Sequence, residues 1–302
     1  MSNLDQYSRK TGGATKVRGV PPLLALGLVV GNIPATIGWL VFGFGMIFWW
    51  LLGMQADVRS LIDFRGELLQ ATGRVTQVME TNYSEGGGED SPGTPIFRVA
   101  FEYESSSGQV RQDACYTVGA QYNLGQDVPV EYVPAPKVAA RIVGTRRSPL
   151  GWGTLFVGLV PLAALVFLAG SVLAGLRTLA VLRRGRMVRG RLIDKQATST
   201  TINDRRVFAL TFEFEDERGN MQQAKIRTHR IEKLEDEPEE RLFYDPQHPE
   251  RARMVDLLPG NIRVLADGSL QADSSLGLWI RAVLIPAIVL GSHGLVALNW
   301  FR

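Results

Sequence analysis

The chain has 302 residues, 45% of them hydrophobic, a formal net charge of +3 and a single cysteine, Cys115. So small a charge excess argues against nucleic acid as a partner, and one cysteine excludes an internal disulfide. The mean hydropathy of +0.02 averages two populations: residues 21–56, 150–176 and 276–300 are almost free of charge, and nearly all charged residues lie between them.

Residues 1–20 are polar and are expected to be disordered. The apolar block that follows, 21–56, lacks a small-residue cleavage site, so it reads as an uncleaved anchor. At ~1.5 Å per residue it is longer than one bilayer crossing. Gly31-Asn32-Ile33-Pro34 interrupts it, which predicts a main span at 35–55 with Trp39, Trp49 and Trp50 as interfacial anchors, and a short re-entrant or interfacial helix over 22–31. Gly27 and Gly31 have the spacing of a helix-packing notch, but in a segment rich in small residues they read as a chance pair. Residues 57–71 carry Val58, Leu61, Ile62, Leu68 and Leu69 against Arg59, Asp63, Arg65 and Glu67, an amphipathic juxtamembrane helix.

A first β domain is expected over 72–147, with strands near 73–80, 96–104, 109–117, 127–133 and 138–143. A second transmembrane helix is expected over 150–176, kinked at Pro161, then a basic linker over 177–187. Arg177, Arg183, Arg184, Arg186, Arg189 and Arg191 form the densest positive cluster in the chain. A second β domain is expected over 188–258, with strands near 189–196, 206–215, 220–228, 239–244 and 251–257. A third span at 277–300 holds Arg281, Pro286 and His293.

The two β domains repeat one pattern. Residues 96–117 align without a gap on 207–228, sharing Phe97/Phe208, Phe101/Phe212, Glu102/Glu213, Glu104/Glu215, Gly108/Gly219, Gln112/Gln223 and Thr117/Thr228. Phe97, Val99, Phe101 and Tyr103 alternate with charged or small residues, as do Phe208, Leu210, Phe212 and Phe214. Period two means strands with one buried face, and Gly108 and Gly219 mark hairpin turns. Gly73/Gly190, Tyr132/Tyr244 and Arg141/Arg253 extend the match, so the predicted fold is α+β: three transmembrane helices alternating with two small antiparallel β domains, each five-stranded and barrel- or sandwich-like.

This order of elements resembles the bacterial family known as domain of unknown function 3592. The motif residues are Gly73, Val75, Phe101, Tyr103, Gly108, Gly125, Val128, Val130, Tyr132, Pro134 and Ala140-Arg141-Ile142. The second copy keeps Gly190, Phe212, Phe214, Gly219, Tyr244, Asp245, Pro246, Pro249 and Ala252-Arg253, and has Lys233-Leu234-Glu235 where the glycine before the fourth strand belongs. The resemblance implies a membrane-anchored β domain and transfers no catalytic residue.

No chemistry stands out from the residues. His229, His248 and His293 are scattered, without the spacing of a zinc site. The repeated carboxylates Glu102, Glu104, Glu213 and Glu215 fall on the wet faces of their strands. The glycine-rich stretch 84–95 is followed by no Lys-Ser/Thr and reads as a hairpin loop. Cys115 reads as a small buried hydrophobe, the acidic run 235–240 as a solvated turn, Arg281 as snorkelling and His293 as a helix-packing group. No catalytic, cofactor or metal residues are assigned and no small-molecule ligand is expected. The expectation is a non-enzymatic bacterial inner-membrane protein whose β domains organise an envelope complex, with the bilayer and either an envelope protein or a second copy as partners. A transporter accessory or small-solute channel component is the alternative. Positive charge puts the N-terminus and second β domain in the cytoplasm and the first β domain outside, ten basic residues against seven. Re-entrant apolar blocks with both domains on one side are the rival.

Overall fold

The computed structural model describes residues 18–88, 92–134, 138–234, 238–258, 262–265, 269–272 and 276–300. The stretch expected to be disordered lies largely outside them, as does the middle of the acidic run, 235–237. By packing, the chain divides into two units, Met1–Val41 with Ala164–Arg302, and Phe42–Ala163.

Three helical stretches, Ile33–Gln55, Trp152–Arg184 and Leu276–Trp300, are long and apolar enough to cross a bilayer. Helix α1 is Pro22–Val29 and α2 is Ile33–Leu51. Asn32 joins them: its amide donates to Leu28 O (2.9 Å), and its side-chain oxygen accepts the Ala35 N–H (2.8 Å). One side chain therefore terminates α1 and caps α2. Pro34 sits in the first turn of α2, where a missing N–H costs nothing.

Two sequence expectations for this block need correction. Gly27 packs on Leu278, and Gly31 on Ala282, where an added Cβ would lie 2.8 Å from the Ala282 methyl. The glycine pair is a packing notch and not a chance spacing. The amphipathic helix expected over 57–71 is confined to α3, Val58–Asp63.

The first unit to complete a sheet is Phe42–Ala163. Its strands are β1 (Leu69–Glu85), β2 (Thr94–Glu104), β3 (Val110–Val118), β4 (Asp127–Val133) and β5 (Ala139–Ile142), ordered β3-β2-β1-β4-β5, all antiparallel. β1 pairs with β4 over residues 69–74 and with β2 over 73–85, so it serves both sides of the curl. Gly73 stands at the crossover, where a Cβ would meet Val130 at 2.7 Å and the Glu102 carbonyl at 2.8 Å. With β3 lying beside β5, the connectivity is that of a five-stranded Greek-key barrel of the OB type.

The second sheet has the same plan. It consists of β6 (Arg186–Ile202), β7 (Arg205–Glu215), β8 (Met221–Thr228), β9 (Glu240–Asp245) and β10 (His248–Met254), ordered β10-β9-β6-β7-β8, with β8 beside β10. The register matches in detail. Arg74 faces Glu102 as Arg191 faces Glu213, and irregularities fall at 75/77 and 80/84 in β1 and at 192/194 and 197/201 in β6. At the outer one, Thr81 Oγ1 donates to Ile96 O and Thr198 Oγ1 to Val207 O, both at 2.7 Å. A short β11–β12 hairpin (Ile262–Val264, Leu270–Ala272) follows, beyond the boundary expected at 258.

Helix α4, Leu159–Arg184, overturns two further expectations. Pro161 lies in the first α-helical turn, just after the 3-10 segment Trp152–Gly158, so it marks the change from 3-10 to α geometry and not a kink inside α4. The basic stretch 177–187 is no linker: Arg177, Arg183 and Arg184 are helical, Gly185 intervenes, and Arg186 begins β6. The last span is built from α5 (Leu276–Trp279), a π-turn at Ile280–Leu284 and α6 (Ile285–Trp300). The π-turn precedes Pro286, which removes one helical donor.

Candidate functional site

Three places combine exposed or charged groups with defined geometry: the seam of each sheet, the junction of each sheet with a long apolar helix, and the outer arms of β1 and β6.

The first seam is held by side chains. Asp113 on β3 accepts the Ala140 N–H of β5 (2.9 Å) and is ion-paired to Arg147, whose Nη1 also donates to Ala140 O (2.6 Å). Beyond β5 the chain reverses at Gly144 (φ +82°) and bridges β3, with Tyr116 N to Arg146 O at 2.7 Å. Arg141 pairs with Glu131 at 2.5 Å and lies over the Phe64 ring. The same end is tied to the segments just outside the long apolar helices: the Asp57 carboxylate accepts N–H groups from Ser60 and Arg147, and Asp57 N donates to Leu150 O. These groups are spent on one another, and they are structural.

The second junction uses other residues. Arg18 N donates to Arg183 O (2.9 Å), its guanidinium reaches Leu182 O (2.6 Å), and it stacks over Phe243 at 4.4 Å. It thus satisfies carbonyls at the C-terminal end of α4 and places positive charge there. Leu24 and Leu28 of α1 are buried with Leu179, Leu182, Phe243, Val255, Ile262 and Leu270. Arg253 donates to Thr178 Oγ1 (3.1 Å) and Ala252 O (2.9 Å). Burial, and then neighbouring Arg251, lower its pKa from the usual guanidinium value.

The outer arms of β1 and β6 are largely exposed. β4 leaves β1 after Arg74, and β9 leaves β6 at Gly190. Beyond those points each long strand has a strand neighbour on one side only, among the described residues. Residues 79–80 and 199–206 are exposed. The arms differ at the tip: 86–93 connect β1 to β2, whereas Asn203 and Asp204, both at positive φ, make a two-residue turn between β6 and β7.

The residues singled out from sequence stand as follows. Glu104 and Glu215 are exposed, Glu102 and Glu213 partly so, and Phe101, Phe212 and Phe214 are buried opposite them. Phe97 and Phe208 are only half-buried; Ile96 (0%) and Val207 (7%) take the core place instead, at the level of the threonine-bridged irregularity that turns the strand. Cys115 is fully buried, 3.7 Å from Val99 O, and burial pushes its thiol pKa up. His248 makes an exposed contact with Glu250 at 3.4 Å. Arg281 Nε donates to Gly277 O (3.2 Å). Among the described residues no three His, Cys, Asp or Glu side chains gather as metal ligands.

Sequence reasoning missed Asp113, Asp57, Asn32, Arg18 and the pair Thr81/Thr198. The threonines were findable: they keep the spacing that relates Gly73 to Gly190. Asn32 acts locally, bonding three and four residues away; Asp113, Asp57 and Arg18 act through contacts far apart in sequence. No family model matches the chain, and no curated protein or solved structure matches it.

Proposed function

We propose that this chain is a non-enzymatic integral membrane protein of a bacterial inner membrane, whose two β domains bind an envelope protein or a second copy of the chain. The observation that carries this reading is the half-paired first strand of each domain. Such an edge offers a row of backbone donors and acceptors that an incoming strand can extend. Conversely, the polar clusters at the first seam are closed on themselves.

Photo-crosslinkers at Met79 and Ile202, both exposed, test it. Adducts from these arms in intact membranes, with none from exposed Val110 or Leu124, are the expected result. A chain that runs as a monomer with no adduct from either arm overturns it.

For sidedness, the reading is cytoplasmic N-terminus and second domain, first domain outside. Of the seven basic residues flanking the first domain, Arg74, Arg141, Arg146 and Arg147 are ion-paired with Asp127, Glu131, Glu85 and Asp113. Arg177, Arg183 and Arg184 at the other end are exposed. Reporter fusions after residues 110 and 220 test this; equal signals from both contradict it. The resemblance to domain of unknown function 3592 agrees with this reading and rests on the motif residues alone. The solute-passage alternative draws support from the π-turn beside Arg281, since such turns recur at functional sites. Pro34 no longer speaks for it, because it starts a helix, and Pro161 stands in the first α turn after a 3-10 segment.

A further inference from the structure

Arg141 and Arg253 hold the same place in the two β domains. Arg141 faces Glu131 across β4 and β5 and is paired with it. Arg253 faces Phe243 across β9 and β10, and its hydrogen bonds go to Thr178 and its own neighbour's carbonyl, with no carboxylate partner among the described residues. A half-buried guanidinium without an anion is costly unless an anion arrives. Phe243 offers none, and its ring already carries Arg18 at 4.4 Å. The neighbouring charge is also positive, since Arg251 lowers the pKa further; exposed Arg177 precedes Thr178 in the α4 sequence.

The position along α4 identifies the anion. The uncharged helical stretch begins at Trp152 and ends before Arg177; its α-helical part alone, 159–176, extends roughly 27 Å at ~1.5 Å per residue, enough for a hydrocarbon core. Arg177 is the first charge after it, so Arg177, Thr178 and Arg253 stand at headgroup depth. Thr178 donates to Ala174 O and accepts from Arg253 Nε; it orients the guanidinium and leaves Nη2 for a ligand. Arginine suits phosphate through its fork of donors.

We propose that Arg253, oriented by Thr178 and assisted by Arg177, binds the phosphate of an anionic phospholipid headgroup. The inference rests on α4 spanning the membrane. The test is native mass spectrometry of the full chain released from nanodiscs of phosphatidylcholine with or without phosphatidylglycerol. Wild type should retain phosphatidylglycerol in preference to phosphatidylcholine. Arg253→Gln should cut that retention by roughly fivefold or more, the worth of one basic side chain at an anionic surface, and Arg253→Lys should cut it by less but measurably, through loss of the paired donors. Arg177→Gln should cut it less, and Arg189→Gln, an exposed arginine on β6, should leave it unchanged. Arg253→Lys guards against simple misfolding, because it keeps the charge and loses the fork. Equal retention of both lipids by wild type, or loss with Arg189→Gln as large as with Arg253→Gln, overturns the proposal. Inorganic phosphate displacing phosphatidylglycerol at millimolar concentration would assign the site to a free anion instead. A chain that does not enter nanodiscs sinks the membrane reading itself, an outcome distinct from entry without lipid preference.

Discussion

Asp113 and Ala224 occupy the same place in two sheets of the same order, and they close those sheets by different chemistry. In the first, a carboxylate clamps a backbone N–H and a guanidinium across the seam. In the second, Ala224 is 1% exposed within a cluster of Leu210, Phe212, Leu234, Leu242 and Met254. The exchange continues at Glu131/Phe243 and reverses at Val128/Glu240, where the second domain buries a carboxylate at 3% exposure. Strand order, irregularities, threonine bridges and the tyrosine contact to the hairpin turn are kept. The scaffold therefore resides in backbone geometry and a few glycines and threonines, and the seams are free to differ.

The largest break in this comparison should come from Ala224→Asp. It places a carboxylate without a guanidinium in an apolar seam and should cost about 3–5 kcal/mol, read by thermal unfolding in detergent. A cost under ~1 kcal/mol would mean the two seams are interchangeable. Asp113→Ala should cost about 2–3 kcal/mol, since it strands Arg147 and the Ala140 N–H, with faster hydrogen exchange confined to β3 and β5.

Next come the crossover glycines. Gly73→Ala pushes a methyl against the Glu102 backbone oxygen at 2.8 Å, whereas Gly190→Ala meets chiefly the flexible Leu242 Cδ2 at 2.6 Å. About 2–3 kcal/mol against about 1 kcal/mol is expected; equal costs would show that both crossovers are equally rigid. Tyr132→Phe and Tyr244→Phe should each cost about 1 kcal/mol, because each hydroxyl accepts one turn N–H, Ser106 at 2.9 Å and Glu217 at 3.2 Å. A clear inequality would weaken the shared-scaffold reading.

The smallest effect separates the turns in acid. Asp216 accepts the N–H groups of Asn220 and Arg218, which hold its carboxyl below the ordinary carboxylate pKa; Ser105 stands there in the first domain. A lowered folded pKa stabilises above the unfolded value of about 3.9 and is lost as pH falls through the folded value. Exchange in the 214–221 peptide should rise in that window relative to the 103–110 peptide, and matched behaviour would remove Asp216 from the account.

Period two made the strands legible, and uncharged length made the spans legible, because both signals are local. The rest was hidden by distance or by identity. Arg177 and Arg184 read as a linker because charge suggested water, yet the apolar helix continues through them until Gly185 ends it. Gly27 and Gly31 looked accidental because their partners, Leu278 and Ala282, lie some 250 residues away in sequence. Asp113 looked like any polar strand residue until Ala140 and Arg147 came round to it. The lipid site was unreadable for the same reason: Arg253 becomes notable only beside a phenylalanine where Arg141 has a glutamate.

The buried thiol gives the molecule a clock. Cys115 is the sole cysteine in the chain, it lies at zero exposure in the core of the first domain, and Ile226 holds the aligned place in the second. An alkylating reagent added to living cells therefore marks each opening of the first domain and is blind to the second. A reagent that cannot cross the membrane would, in the same measurement, report which compartment that domain opens into.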